Sequence, residues 1–420
     1  MKKYLIVGVS LRSKGGEAMV TEAYKKIREI DPSNLVYLYV PDRDYNARIV
    51  RDTPGLFGLQ VIGTDSEVRI RNRYLRYGIH VILLSYDFVK ALYYYALHRE
   101  PSKRFFRTSS CTSISNADII IQIAGISFTD NFGVIHAFSW TWQMILAKML
   151  KKKFFCMPQS FGPSGNVLVR WCAKIGLDQV TYIMPRGKKS AGFIRGLNLK
   201  NRNCSFVPDL AFSHGNPLPQ DDEILWRRFG ISQETRYVGI IFNSHLYRWG
   251  GMKMIDILAG EIDRLISVHG YRIILLAHEV DEIRSVDDRY VNTLIFDRCR
   301  NKGSILVVND DLSAKEIKSL VKVCDFTICS RFHGMISSLK VGVIPIVIGW
   351  AEKYGEIMEL FDAERFVIGY DRVTPENLQE LTGQVLRDRE ELKRRIAIHA
   401  AEYEKASGRA GEIIMQYGSA

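Results

Sequence analysis

The hydrophobic positions fall into short apolar runs that alternate with longer segments whose apolar residues recur every three or four positions. Short runs rich in Val, Ile and Phe are typical of buried strands, and longer amphipathic segments are typical of helices. The alternation predicts an α/β protein whose parallel strands are joined by helical crossovers. The predicted strands are 4–9, 36–40, 119–123, 154–157, 182–184, 205–207, 237–242, 272–277, 305–308, 326–329 and 344–348. The predicted helices include 17–30, 138–150, 253–269, 314–323 and 335–341.

A polar, turn-rich stretch at 213–222 separates two such series of strands and helices. A chain of 420 residues is long enough for about two domains. We therefore expect two Rossmann-like domains with parallel sheets, one over 1–215 and one over 216–375, followed by a C-terminal helical segment over 376–420.

The net charge of +12, from 58 basic and 46 acidic residues, indicates an anionic partner such as a phosphorylated small molecule or a phospholipid. The densest basic patch is 69–76, which reads either as a solvated helix face or as a contact with an acidic membrane surface. No fingerprint of nucleic-acid binding accompanies the charge, so we expect no nucleic-acid partner.

Several other features indicate a cytoplasmic chain, at most peripheral to the inner face of a membrane. The longest apolar stretch, 81–97, contains Asp87 and Lys90 and is therefore more typical of a buried helix than of a membrane span. The N-terminal apolar run is too short for a signal-peptide core. The seven cysteines are scattered without a C-x-x-C pair, which is typical of reduced cysteines. No spacing of His, Cys or carboxylates demands a metal, and we expect no cofactor.

Ligands of open parallel sheets bind beyond the carboxyl ends of the strands, so the loop after each predicted strand is a candidate site. After the first strand, Gly15 and Gly16 open a helix and let backbone amides approach an anion. This loop matches neither common phosphate-binding fingerprint, and an ordinary tight turn is the alternative. The other candidates in this half are Glu17, Asp130, Gln159, Arg186 and Asp209.

The second half of the chain contains the most specific indication of a binding site. The predicted strand 326–329 runs into Ser330, Arg331 and His333, with Ser330 placed to cap the helix that follows. Lys353 follows the next strand, so three nitrogen-bearing side chains lie near one helix N-terminus, which suits a small polyanion. A bound phosphate or carboxylate favours the protonated form of His333, a competent proton donor. Asn243 and His278, each at a strand end, are further candidates.

Read together, these loops resemble the polysaccharide pyruvyltransferase family. The matching segments are PQSFGP at 158–163, Arg186 with Ser190, PDLAF at 208–212 and DFTICSRFH at 325–333 with its continuation to Lys353. The resemblance implies two Rossmann-like domains of GT-B type with the active site in the interdomain cleft. It implies phosphoenolpyruvate as donor, a sugar of a surface polysaccharide or of its lipid-linked precursor as acceptor, and a pyruvyl ketal and phosphate as products.

The resemblance also implies roles for these residues. His333 is the expected acid, Arg186, Arg331, Lys353 and Ser330 the expected donor-binding residues, and Asp130 or Asp209 a guess at the base. The first loop reads SKGGEA where the family commonly has N-x-G-D-E-A, and residues 124–126 read AGI where the family often has three glycines. Both departures concern the expected acceptor side. The alternatives are a sugar-nucleotide-dependent glycosyltransferase of GT-B type and a divergent anion-binding member without turnover.

Overall fold

The structure is a computed structural model, and it describes residues 1–40, 42–63, 86–87, 89–93, 95–97, 106, 108–281 and 286–418. The predicted basic patch 69–76 lies outside the described residues. The chain divides into two compact units, one of residues 1–11, 19–210 and 407–420 and the other of residues 12–18 and 211–406. The expected domain boundary after residue 215 lies close to the change of unit at residue 210.

The first unit is a parallel α/β layer structure. Its elements are β1 (Lys3–Val7), α1 (Lys14–Ile30, whose first residues are grouped with the second unit), β2 (Leu35–Val40), α2 (Arg43–Asp52), β3 (Gln60–Gly63), α3 (Ser109–Asn116), β4 (Ile119–Gln122), β5 (Ile126–Ser127), α4 (Gly133–Met149), β6 (Lys153–Phe161), α5 (Val167–Leu177), β7 (Tyr182–Pro185) and α6 (Lys188–Gly196). The strands follow the order β3-β2-β1-β4-β6-β5, and β7 also pairs with β6. β4 and nearly all of β6 are buried, as strands covered by helices on both faces must be.

The second unit repeats this architecture. Its elements are α7 (Pro219–Arg228), β8 (Tyr237–Ile241), α8 (Ser244–His269), β9 (Arg272–Leu276), α9 (Asp288–Arg298), β10 (Ile305–Val308), α10 (Ala314–Lys322), β11 (Cys324–Cys329), α11 (Phe332–Lys340), β12 (Ile344–Gly349), α12 (Glu352–Leu360), β13 (Val367–Gly369) and α13 (Pro375–Ser407). The six parallel strands follow the order β10-β9-β8-β11-β12-β13. This is the doubly wound order in which ligands bind where the strand order reverses, here between β8 and β11.

The α/β class with parallel sheets is confirmed, and most predicted strands lie within two residues of an observed one. Ser313 caps α10 as predicted, since its Oγ accepts from the backbone of Glu316 at 3.3 Å and the Glu316 carboxylate accepts from the Ser313 backbone at 2.8 Å. The predicted strand 205–207 is wrong, because the segment forms only an isolated bridge between Cys204 and Ile183 and two backbone hydrogen bonds beside it, from Ser205 to Ile183 at 3.2 Å and from Val207 to Pro185 at 3.1 Å.

The end of the chain returns to the first unit. After α13, which belongs almost wholly to the second unit, α14 (Arg409–Gly418) packs on the first sheet. The rings of Tyr417 and Tyr182 lie 4.8 Å apart, and the Lys2 ammonium donates to the Gly418 carbonyl at 2.6 Å. The expected segment 376–420 is therefore shared between the units. No helix among the described residues is long and apolar enough to cross a membrane.

Candidate functional site

Ser330 and Asn243 occupy the point of the second sheet where the strand order reverses. The backbone N–H of Ser330 donates to the Ile241 carbonyl at 3.0 Å, and the Asn243 N–H donates to the Ser330 hydroxyl at 2.7 Å. The predicted role of Ser330 as a helix cap is wrong, because α11 begins at Phe332 with Arg331 in the cap position. The hydroxyl of Ser330 is used instead to join the loops that follow β8 and β11.

His333 lies in the first turn of α11 and is half-buried. Its imidazole packs directly against the backbone of Gly15, where an added Cβ atom would lie 1.9 Å from the ring. Glycine at position 15 is therefore a steric requirement of this contact. The structure thus brings together two residues that the sequence placed in separate candidate loops.

The segment 12–18 is held in the second unit by three charged residues. The Lys14 ammonium pairs with the Asp311 carboxylate, and the Arg12 guanidinium pairs with Asp281 at 2.9 Å. The Glu17 carboxylate accepts from the backbone N–H of Ala314 at 3.2 Å. Burial raises the pKa of Glu17, and the nearby Lys14 ammonium partly offsets this. These contacts fix Gly15 against His333.

Arg331 is buried and its guanidinium is engaged by protein acceptors. Its Nε donates to Asp288 at 2.9 Å, a terminal nitrogen donates to the other oxygen of Asp288 at 2.5 Å, and the second terminal nitrogen pairs with Glu279. Although burial lowers it, the two carboxylates raise the net pKa of Arg331 above its usual range. The structure thus places Arg331 in the site with its donors already paired. Direct contact with a donor substrate stays a prediction.

Asp288, the first residue of α9, is the residue that the sequence analysis missed. Its carboxylate accepts backbone N–H bonds from Ser244 at 3.1 Å, His278 at 3.3 Å and Glu279 at 2.9 Å, besides the two from Arg331. One carboxylate therefore joins the loops after β8, β9 and β11. It directly follows Asp287, which is the N-cap of α9, and the sequence alone does not show which of the two aspartates joins the loops.

His278 is buried and neutral. Burial and the positive charges of Arg331, His333 and Lys14 lower its pKa well below the usual range. His245, at the start of α8, has its pKa lowered by burial and by Arg331. The positive charges that keep these two imidazoles neutral also favour an anion nearby.

Lys353 follows β12 as predicted and lies within α12. Its ammonium lies over aromatic rings, 4.6 Å from the ring centre of Trp350, 5.1 Å from Phe332 and 5.6 Å from Tyr354. The Tyr354 hydroxyl donates to the Ser330 carbonyl at 2.8 Å, which links α12 to the loop after β11. Cation–π contacts with these rings orient the Lys353 ammonium.

Arg186 and Asp209, both in the first unit, form a fully buried ion pair. The other nitrogens of Arg186 donate to the Ser160 hydroxyl at 3.0 Å and to the Gly125 carbonyl at 2.6 Å. Arg186, just after β7, therefore ties the loop after β4 and the end of β6 to the segment that contains Asp209. Its predicted contact with the donor stays a prediction.

Gln159 and Asp130 occupy different surroundings in the first unit. β6 extends through Phe161, so the predicted loop at 158–163 is mostly strand, and Gln159 is a buried strand residue whose amide donates to Gln122 at 3.0 Å. Asp130 accepts from the Ser164 hydroxyl and from the Gly165 N–H at 2.8 Å, and these bonds lower its pKa. A carboxylate with a lowered pKa is a weak base.

The second unit therefore gathers His333, Gly15, His278, Ser330, Asn243 and Arg331 at one edge of its sheet. Imidazole, ammonium and guanidinium groups beside helix N-termini can bind an anion and move a proton. Among the described residues no group of His, Cys and carboxylates could hold a metal ion.

Two comparisons with solved structures extend over the whole chain. The UDP-GlcNAc 2-epimerase of Neisseria meningitidis bound to UDP-GlcNAc matches with a TM-score of 0.60 and 12% identity, covering 100% of both chains. Anabaena HepE in complex with UDP-glucose matches with a TM-score of 0.59 and 12% identity, covering 100% of this chain and 99% of HepE. At such low identity the likeness shows the fold, a GT-B-like pair of Rossmann-like domains.

A sequence relative and a family model indicate the protein family. The amylovoran biosynthesis protein AmsJ of Erwinia amylovora is 21% identical over 298 residues, which are 69% of this chain and 70% of that protein. The family model described as polysaccharide pyruvyl transferase matches residues 15–352. This match begins at Gly15, includes His333 and covers well over half of the chain, and we conclude that the chain belongs to the polysaccharide pyruvyl transferase family.

Proposed function

We propose that the chain transfers the enolpyruvyl group of phosphoenolpyruvate to a sugar of a surface polysaccharide or of its lipid-linked precursor, forming a pyruvyl ketal. Membership of the family supports a transferase of polysaccharide biosynthesis. The observation that carries the specific chemistry is the position of His333, in the first turn of α11 and against the backbone of Gly15. A proton donor fixed at a helix N-terminus suits an anionic substrate that must be protonated on carbon.

The reaction balances without a redox partner. Protonation of the methylene carbon of the donor gives a cation-like centre at the carbon that bears the phosphate. One sugar hydroxyl adds there, the carbon–oxygen bond to phosphate breaks, and a second hydroxyl of the same sugar closes the ketal. One hydroxyl proton replaces the proton that His333 gave to the new methyl group, and the other leaves with the phosphate.

The proposed roles follow the contacts around His333. His333 protonates the donor, Lys353 and the N-terminus of α11 bind its charges, and Ser330 holds the loops that form the pocket. Arg331 is proposed as a donor-binding residue, and its buried pair with Asp288 fixes the position of its guanidinium. Arg186 is proposed as a further donor-binding residue.

The acceptor side is proposed to belong to the first unit. Of the acceptor candidates, Gln159 near the end of β6 and Asp209, which pairs with Arg186 after β7, lie in that unit. Gly16 and Glu17, whose pKa is raised, lie in the first turn of α1, in the segment 12–18 that is grouped with the second unit. A lipid-linked acceptor would place the chain at the inner face of the membrane, in the cytoplasm.

Replacement of His333 by Gln tests the acid. Loss of general acid catalysis costs about 10²–10⁴-fold, so phosphate release from phosphoenolpyruvate with a panel of diol-bearing oligosaccharides should fall by that factor. The control is His269→Gln, because His269 lies at the C-terminal end of α8, whereas Asn243 and Ser244 at the other end of this helix lie at the site. Equal phosphate release by wild type and His333→Gln would refute the assignment.

A sugar-nucleotide-dependent glycosyltransferase is the second candidate, favoured by the likeness to HepE in complex with UDP-glucose. Calorimetric titration distinguishes the two. Binding of UDP or UDP-glucose without any binding of phosphoenolpyruvate would favour the glycosyltransferase. Anion binding without turnover across the acceptor panel would favour a non-catalytic member.

A further inference from the structure

Six large apolar side chains are exposed at one end of two neighbouring helices of the first unit. Between 48 and 76% of each is exposed. Phe132, Ile135 and Phe138 recur every third residue at the start of α4, and Val167, Leu168 and Trp171 occupy the first two turns of α5. We name these six residues the apolar face. Exposed apolar residues in such a cluster mark an interaction surface rather than ordinary surface variation.

The six residues lie together because the two helices begin side by side. The Asp130 carboxylate precedes α4 and accepts from the backbone of Gly165, just before α5. Further along, the Thr141 hydroxyl of α4 donates to the Cys172 carbonyl of α5 at 2.8 Å. Gly176 allows the close approach, since a Cβ atom there would lie 3.1 Å from the Thr141 backbone. The helices are therefore parallel and start at the carboxyl edge of the first sheet.

Three basic residues lie near the starts of these helices, Arg170 in α5 and Lys188 and Lys189 in α6. Arg170 lies between Leu168 and Trp171, and its guanidinium stacks 5.6 Å from the ring of Phe193 in α6. Lys188 and Lys189 are exposed at the start of α6, which follows a parallel strand and so begins at the same edge.

We infer that the apolar face docks onto an anionic phospholipid bilayer. Exposed aliphatic and aromatic side chains enter the boundary between headgroups and acyl chains, where Trp is particularly favourable, and the surrounding cations attract anionic headgroups. The charge favours this occupant over a second copy of the chain, because two such faces would bring like charges together. None of these residues belongs to the predicted basic patch at 69–76.

The inference rests on the proposed function in one respect, namely the proposed position of the acceptor. The apolar face adjoins the loops that follow β4 and β6, at the edge of the first unit where the acceptor is proposed to bind. Docking there would present an acceptor carried on a membrane lipid.

Vesicle co-sedimentation tests the docking in the absence of phosphoenolpyruvate. Wild type should bind phosphatidylglycerol vesicles, bind phosphatidylcholine vesicles at least ten-fold more weakly, and detach from phosphatidylglycerol as salt is raised. The variant Ile135→Ser/Trp171→Ser should lower the partition coefficient at least ten-fold. The control Ile224→Ser/Val268→Ser removes two comparably exposed apolar residues of the second unit and should bind as wild type does.

Three readouts keep the result interpretable. Thermal unfolding and phosphate release with a soluble acceptor should be the same for wild type and Ile135→Ser/Trp171→Ser, which separates lost docking from lost folding or lost catalysis. Failure of wild type to bind phosphatidylglycerol vesicles, or full binding by the apolar-face variant, would overturn the inference. It would also be overturned if sedimentation velocity showed a wild-type dimer that this variant dissociates.

Discussion

The contact between Gly15 and His333 leads to the most specific prediction at the scale of single residues. A methyl group at position 15 would lie 1.9 Å from the imidazole, so Gly15→Ala must displace either the ring or the segment 12–18. A displacement of about 1 Å at a reacting group costs about 10²-fold. We expect turnover of Gly15→Ala, measured as phosphate release, to fall by about that factor.

The matched control for this substitution is Gly260→Ala. Gly260 is also helical, and a Cβ atom there would contact nothing within 4 Å. Alanine in an open helical position stabilises by a few tenths to about 1 kcal/mol, and turnover should not change. Full activity of Gly15→Ala would mean that the position of His333 is not critical for the reaction.

His278 predicts a pH dependence of stability. Its pKa is well below the ordinary value when folded, so folded His278 stays neutral while unfolded His278 takes up a proton below about pH 6.5. Protonation then favours the unfolded chain by up to about 1.4 kcal/mol per pH unit until the folded pKa is reached. The free-energy advantage of wild type over His278→Asn should therefore shrink between pH 7 and pH 5 in urea unfolding. A constant difference over that range would contradict the prediction.

At the scale of elements, the Asp288 carboxylate holds together the loops after β8, β9 and β11. Asp288→Asn removes the charge that pairs with buried Arg331 and replaces one acceptor oxygen by an NH2 group, which then faces the N–H of either Ser244 or Glu279. Removal of one partner of a buried ion pair costs about 3–5 kcal/mol. We expect a loss of this size in the free energy of unfolding, measured by denaturant titration, with a raised KM for phosphoenolpyruvate.

Asp287 provides the control for this substitution. Asp287→Asn changes the neighbouring residue in the same way, but the Asp287 carboxylate accepts from the backbone and side chain of Arg289 and not from Arg331 or Ser244. Asn caps a helix about as well as Asp. The ion pair with Arg289, whose side chain is 40% exposed, contributes about 0–1 kcal/mol. Equal losses for Asp287→Asn and Asp288→Asn would show that Asp288 does not have the joining role.

The elements were predictable where periodicity and caps mark them. The strands β8 to β12 follow continuous apolar runs, and the start of α10 is fixed by Ser313 and Glu316. The shortest strands were not predictable, because β5 (Ile126–Ser127) forms only by pairing with the far end of β6. The start of α11 was predicted three residues too late, since Phe332 packs on Tyr354 and no periodicity reveals that contact.

The candidate site was predictable in its loops but not in its interactions. A parallel sheet places the residues after each strand at one edge, and this rule alone predicts that Ser330, Asn243 and His333 lie at the same edge. Which charges are already paired depends on long-range contacts. Arg331 and Asp288 are 43 positions apart, and their pairing cannot be deduced from spacing.

At the scale of the whole molecule, each of the two units is formed by separate stretches of the chain. The segment 12–18 belongs to the second unit, and residues 407–420 belong to the first. The tail contributes to the first unit through α14, whose Ile414 is completely buried and whose Gly418 backbone packs near Ile119. A change in the last residues of the chain should therefore destabilise a unit that begins at residue 1.

Ile414→Ala tests whether the C-terminal residues stabilise the first unit, with Met415→Ala as the neighbouring control. Ile414 is 0% exposed and Met415 is 52% exposed, so one substitution opens a cavity and the other removes surface atoms. Truncation of a buried Ile costs about 2–5 kcal/mol, whereas surface changes stay within about 0.5 kcal/mol. Hydrogen exchange should show the loss in β1, β4 and β6, which form the sheet under α14, and not in β8 to β12. Equal stability of the two variants, or a loss confined to the second unit, would show that the tail does not support the first sheet.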